Sequence, residues 1–121
     1  MGLEDAQGAV AAGSPRQAAG AETVIDSGLW YRPGDPVRLR AVRREQRLSV
    51  ADDGAAINKA GRPPHWRDIA DRLERDLIVN VSRRGVVWLP VVAAGPGFET
   101  VIGRIAEASV DFYQSLLELH D

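Results

Sequence analysis

The hydrophobic period of this chain changes several times, and each change marks an element. From Pro36, the stretch VRLRAVRR sets Val37, Leu39 and Ala41 against Arg38 and Arg40, the two-residue alternation of a half-buried strand. RLSVAD continues it with Leu48 and Val50 inward, so the two segments predict a hairpin turning near Arg44 to Gln46. Upstream, Leu29, Trp30 and Tyr31 predict a short strand. It would end at Pro33 and Gly34, because proline presets φ and glycine accepts a positive φ at the centre of a type II turn.

The period then lengthens. In HWRDIADRLERDL, Trp66, Ile69, Leu73 and Leu77 recur at intervals of three and four, the stripe of a helix facing a core. Asp68 stands four residues before Arg72 and Asp71 four before Arg75, the spacing of ion pairs on a solvated face. Before this helix, GAAINKAG is compatible with one short helical turn ended by Gly61, and Pro63 with Pro64 predicts a stiff bend. LIVNV and VVWLPVV, separated by SRRG, predict a second hairpin in which Gly85 supplies the left-handed turn residue. Pro90 assigns the second of these strands to a sheet edge or a bulge.

The last segment, FETVIGRIAEASVDFYQSLLELHD, carries Phe98, Ile102, Ile105, Ser109, Phe112, Leu116 and Leu119 in steps of four and three. Val101, Ala108, Tyr113 and Leu117 widen the stripe, so one long helix buries a broad face. Packing across a sheet accounts for that face; the alternative is that Phe112, Leu116 and Leu119 also form a self-association seam. The expected fold is α+β, in the order β-β-β-α-α-β-β-α. Its antiparallel sheet has about five strands, from two hairpins and a short N-terminal strand, with the helices on one face.

Residues 1–24 are rich in Ala and Gly, with no apolar period and no aromatic side chain. Such a segment buries too little surface to offset its ordering entropy, so it is expected to be a disordered or weakly ordered tail, and 25–121 a single domain. At 121 residues, 45% hydrophobic and 26% charged, the chain has the composition of one globular domain. No apolar run approaches the roughly 20 residues that span a bilayer, so no membrane association is expected. No basic start precedes an apolar run, and the chain has no cysteine. A cytoplasmic location follows as the expectation.

Charge is distributed unevenly. The net charge of −2 divides into −3 over residues 1–31, +5 over 32–84 and −4 over 85–121. A basic middle between acidic ends fits either an anionic partner or neutralisation within the fold or across a dimer. Arg38, Arg40, Arg43, Arg44 and Arg47 fall on the first predicted hairpin, and Arg83 and Arg84 cap the second. Together they form the candidate surface for an anionic partner.

Catalytic patterns are sparse. Asp52 and Asp53 follow a strand and precede a helical turn, where an aspartate accepts hydrogen bonds from free helix N–H groups and opposes the helix dipole. No glutamate closes a twelve-residue calcium loop around them. His65 stands at a predicted helix start and His120 near the carboxyl terminus, with no nucleophile elbow, phosphate loop or dinucleotide glycine pattern to accompany them. No catalytic residue, metal ligand or cofactor is assigned. The leading expectation is a non-enzymatic protein-interaction or regulatory module that binds a protein partner or itself. A nucleic-acid-associated protein using the arginine hairpin is the second reading, and a hydrolase with an unrecognised site the third.

GLWYRPGDPV, the strand ending in ADDGAAI, AGRPPHW, NVSRRGVVWLP and AEASVDFYQSLLEL together resemble a family of small hypothetical proteins from high-GC actinobacteria, over residues 27–119. The D-D-G strand end is also similar to that of a wider set of uncharacterised bacterial domains. The resemblance implies one domain and an actinobacterial origin, which agrees with 14 arginines against the single Lys59. It carries no activity, cofactor or catalytic residue to this chain.

Overall fold

The computed structural model describes residues 21–119. His120 and the first twenty residues of the expected tail lie outside them. Eight elements follow the expected order: β1 (Ala21–Arg32), β2 (Asp35–Arg44), β3 (Arg47–Ala51), α1 (Ala55–Lys59), α2 (Trp66–Asp76), β4 (Asn80–Val81), β5 (Val87–Val91) and α3 (Phe98–Glu118). The strands form one antiparallel sheet in the order β1-β2-β3-β5-β4.

The first strand differs from expectation. β1 is 12 residues long rather than a short segment around Trp30, and it starts at Ala21, so residues 21–24 belong to the sheet. Ile25 lies opposite Leu39 and Val24 opposite Arg40, which places Ile25 on the core face and Val24 on the outer one. The alternation breaks between Asp26 and Trp30, where Gly28 has φ 83°. The Asp26 carboxylate accepts the Gly28 N–H at 3.1 Å, and the Ser27 hydroxyl donates to the Val37 carbonyl at 2.8 Å. This bulge interrupts the period and hides the strand from a pattern search.

One core lies between the sheet and the helices. Val37, Leu39, Ala41, Val50, Val81 and Val87 meet Ile105, Phe112 and Leu116 of α3, with Ile57 and Leu73 closing the sides. All three helices share this face: α3 crosses β1, β2, β3 and β5, and α1 and α2 pack on α3. In α2, Leu73 is buried while Trp66, Ile69 and Leu77 pack on the core margin, as the stripe requires.

The predicted ion pairs of α2 are replaced by others. Arg72 reaches across to Asp111 and Ser115 of α3, at 2.9 Å each, because that side of α2 is turned toward α3. Arg67 takes Asp71 at 3.1 Å, and Arg75 takes Asp76 at 3.4 Å. Pro90 is in register with Ser49, but the two-residue β4 pairs only with Val87 and Trp88. β5 is therefore an edge at Pro90, which is where a residue without an N–H is tolerated.

Candidate functional site

The D-D-G junction separates its two acids completely. Asp52 is 1% exposed, and its Oδ1 accepts the N–H groups of Gly54 at 2.8 Å and Val87 at 2.9 Å. Its Oδ2 accepts the Ser109 hydroxyl at 2.7 Å, and Ser109 Oγ stands 2.7 Å from the Tyr31 hydroxyl. With Ser109 donating to the carboxylate, Tyr31 is the donor to Ser109. One carboxylate thus ties together the end of β3, the start of β5, the entry to α1, the middle of α3 and the end of β1.

Burial pushes the Asp52 carboxyl above the usual carboxylate range, against the opposing pull of the Ser109 hydroxyl and of the Gly54, Val87 and Ala56 amides. Burial likewise raises Tyr31, with the Ser109 hydrogen bond opposing and the charges of Asp52 and Asp35 adding to the rise. Of the two acids, Asp52 alone serves the start of α1, through the Gly54 and Ala56 amides, and it does so from two residues before the N-cap. Gly54 holds the N-cap position with no side-chain cap hydrogen bond, and Asp52 instead closes a turn onto Gly54 two residues on. Asp53 adopts φ 59° and turns to the surface, where Arg40 Nε donates to it at 2.7 Å.

The seven candidate arginines do not form one surface. Arg43, Arg44 and Arg47 lie at the tip of the β2–β3 hairpin, since Arg44 is paired with Arg47. Arg83 and Arg84 lie in the β4–β5 turn, beyond the pair Val81 and Val87, at the opposite end of β3 and β5. Arg38 and Arg40 belong to the outer sheet face, whose phase Arg44 and Arg47 share at the hairpin end while Arg43 is on the other phase, and Arg40 is already neutralised: Glu22 holds it at 2.6 Å and Asp53 at 2.7 Å. Hydrogen bonding to Asp53, then that carboxylate's charge, then Glu22 raises the Arg40 pKa further. Arg84 is drawn into the fold through its carbonyl, which accepts from Arg62 at 2.9 Å.

The proposed seam on α3 is also corrected. Phe112 and Leu116 are fully buried, and Phe112 meets the Trp66 ring at 6.4 Å, so the sheet and α2 consume both. Of the three seam residues only Leu119 is exposed. His65 is exposed at the N-cap of α2 with φ 66° and no side-chain cap hydrogen bond. Among the described residues, no three His, Asp or Glu side chains cluster as a metal site would require.

What the sequence reading missed is the outer face of the sheet. Register places Glu22, Val42, Ser49 and Pro90 in one row across it, and Val24, Arg40, Ala51, Trp88 and Asn80 in the next. Trp30 faces Pro36 further along. Val24 is 66% and Trp30 55% exposed, and neither these nor Val42, Ala51 and Trp88 belong to the core or to the shell packed on it. The signal was present: apolar residues stand at positions that the alternation reserves for polar ones.

No family model matches the chain, and no curated protein and no solved structure matches it. Among the described residues no helix is long and apolar enough to cross a membrane.

Proposed function

We propose that this protein is a non-enzymatic binding module whose working surface is the outer face of its sheet, and that the face docks a protein. The observation that carries this reading is the one-sided placement of the helices, which leaves a five-stranded sheet with Val24, Trp30, Val42, Ala51 and Trp88 on its uncovered side. Apolar side chains gathered on one uncovered face, here around the paired Arg40, mark sites of association, and tryptophan is among the residues most enriched where binding energy concentrates.

Charge argues against a phosphate backbone as the ligand. The outer face and its margin hold Arg38, Arg40, Arg44 and Arg47 against Glu22, Asp26 and Asp53, a balance within one charge, and Arg40 is spent on two of those acids. A nucleic-acid surface needs a large net excess of cations. The acid chain of Asp52, Ser109 and Tyr31 is equally unsuited to hydrolysis, since all three side chains are buried and a nucleophile must reach its substrate.

Photo-crosslinking inside cells tests the reading. A photoreactive residue replacing Trp88 is expected to give discrete protein adducts, and the same residue replacing the exposed Leu117 of α3 to give none. Adducts from the helix side alone would overturn it.

A further inference from the structure

We propose that the occupant of the outer face is a second copy of this chain, docked sheet to sheet about a two-fold axis. The proposal rests on the reading of that face as the binding surface and names its partner.

Charge complementarity is the first argument. A two-fold axis sets a surface against itself, so a face that docks its own copy must carry both signs in near balance. Here Arg38 has no ion-pair partner among the described residues, and the Asp26 carboxylate opposite it in the register accepts only the Gly28 N–H. Arg44 and Arg47, paired with each other one row beyond Val42 and Ser49 on the same phase, have no ion-pair partner among the described residues either, so each copy offers three uncommitted cations and one uncommitted carboxylate. Arg40 together with Glu22 and Asp53 carries one net negative charge, which leaves four arginines against three carboxylates over the face, within one charge of balance.

Area is the second. With residues about 3.3 Å and strands about 4.8 Å apart, the sheet offers on the order of 500 Å² of flat face. Side-chain relief and the Trp30 and Asp53 margins bring it toward the roughly 600 Å² per partner at which specific interfaces begin. Two sheets packed about 10 Å apart would inter-leave their tryptophans and valines as the layers of a sandwich do. Pairing through the β1 edge is the competing geometry, and its sequence disfavours it. An antiparallel β1 pair centred on Val24 would set Glu22 against Asp26 of the other copy, acid against acid, and the bulge after Asp26 ends the straight edge.

Sedimentation equilibrium of the purified full chain tests the proposal. At about 100 µM the chain is expected to sediment at twice its 13.1 kDa mass, dissociating toward about 1 µM as an interface of minimal size should. Val24→Arg and Trp88→Arg are expected to return the monomer mass at 100 µM, with the circular dichroism melt of Val24→Arg unchanged because that side chain is exposed in the free chain. Leu117→Arg, on the helix side, is expected to leave the dimer intact. A wild-type monomer at 100 µM overturns the proposal, and crosslinks from Trp88 to a different protein would then leave the binding face standing. A dimer broken only by Leu117→Arg overturns both.

Discussion

Ser109 donates its hydroxyl to the Asp52 carboxylate over 2.7 Å, and this one bond joins the end of β3 to the middle of α3. Both residues are buried, so the bond has no competing water. Removing the carboxylate leaves the Gly54 and Val87 amides and the Ser109 hydroxyl unsatisfied, at about 1–3 kcal/mol for each such group when burial is complete. Asp52→Ala is therefore expected to cost at least about 3 kcal/mol in urea unfolding. Asp52→Asn keeps an acceptor for the two amides, reverses the donors toward Ser109, and is expected to cost less. A loss under about 1 kcal/mol for the alanine variant would contradict this account of the junction.

The same residue sets a pH dependence. The folded-state pKa of Asp52 is raised, so its contribution is fully present below the ordinary carboxylate pKa and is lost as pH rises through the raised folded value. Asp111 runs the other way. Burial raises it, but the Arg72 and Ser115 hydrogen bonds and the Arg72 charge outweigh that and leave it lowered. Its contribution is present above the ordinary value and is lost as pH falls through the lowered one. Comparing stability against pH for Asp52→Asn and Asp111→Asn separates the two limbs. The first variant is expected to flatten the decline above the ordinary carboxylate pKa, and the second the decline at the acid end.

Gly85 turns the β4–β5 hairpin with φ 89°, and a Cβ there would stand 2.6 Å from Ile57 Cδ1 and 3.0 Å from its Cγ2. Ile57 is fully buried and has little room to move. Gly85→Ala combines a left-handed alanine with overpacking and is expected to cost about 2–4 kcal/mol. Gly34 has a similar φ with nothing within 4 Å, so Gly34→Ala is expected to lose only about 1–2 kcal/mol. Thermal unfolding of the two variants gives the difference.

Ile78 is the least comfortable residue of the fold. It follows α2 with φ 57°, a conformation that costs a side-chain-bearing residue about 1–2 kcal/mol, and it is 63% exposed. Ile78→Gly is expected to raise stability by about 1 kcal/mol, since glycine is the favoured residue just past a helix C-terminus. A destabilised variant would show that Ile78 makes a contact worth more than its strain.

Much of the fold was legible because the core-facing residues keep a strict period. Val37, Leu39, Ala41 and Val50 alternate, Ile105, Phe112 and Leu116 step along α3, and the turns at Gly34 and Gly85 carry the residue that positive φ demands. β1 is longer than its sequence pattern suggests, because its bulge shifts the phase at Ser27 and Gly28. The i,i+4 spacing of α2 does not give the partners of Arg72, because spacing along one helix cannot register that Arg72 faces Asp111 on another.

The site was less legible for a related reason. Arginines close in sequence on a hairpin are separated in space by strand length and by alternation, and only the register shows that Arg40 is neutralised by Glu22 and Asp53. Ser109 within an apolar stripe was the available sign of a buried polar partner. Its partner, Asp52, is identifiable only once β3 and α3 are seen to pack together. Val24, Val42 and Trp88 stand on the polar phase of their strands, and an uncovered face emerges only when those phases are aligned across the sheet.

Because the chain has no cysteine, a single introduced thiol reports directly on which side of the molecule is covered. Val24→Cys and Leu117→Cys place it on the outer sheet face and on the helix side, and the rate of maleimide modification is read at low and high protein concentration. If the outer face binds its own copy, the thiol at 24 reacts several-fold more slowly at high concentration while the thiol at 117 is unaffected. Equal rates for position 24 at all concentrations, or protection confined to position 117, would contradict the account.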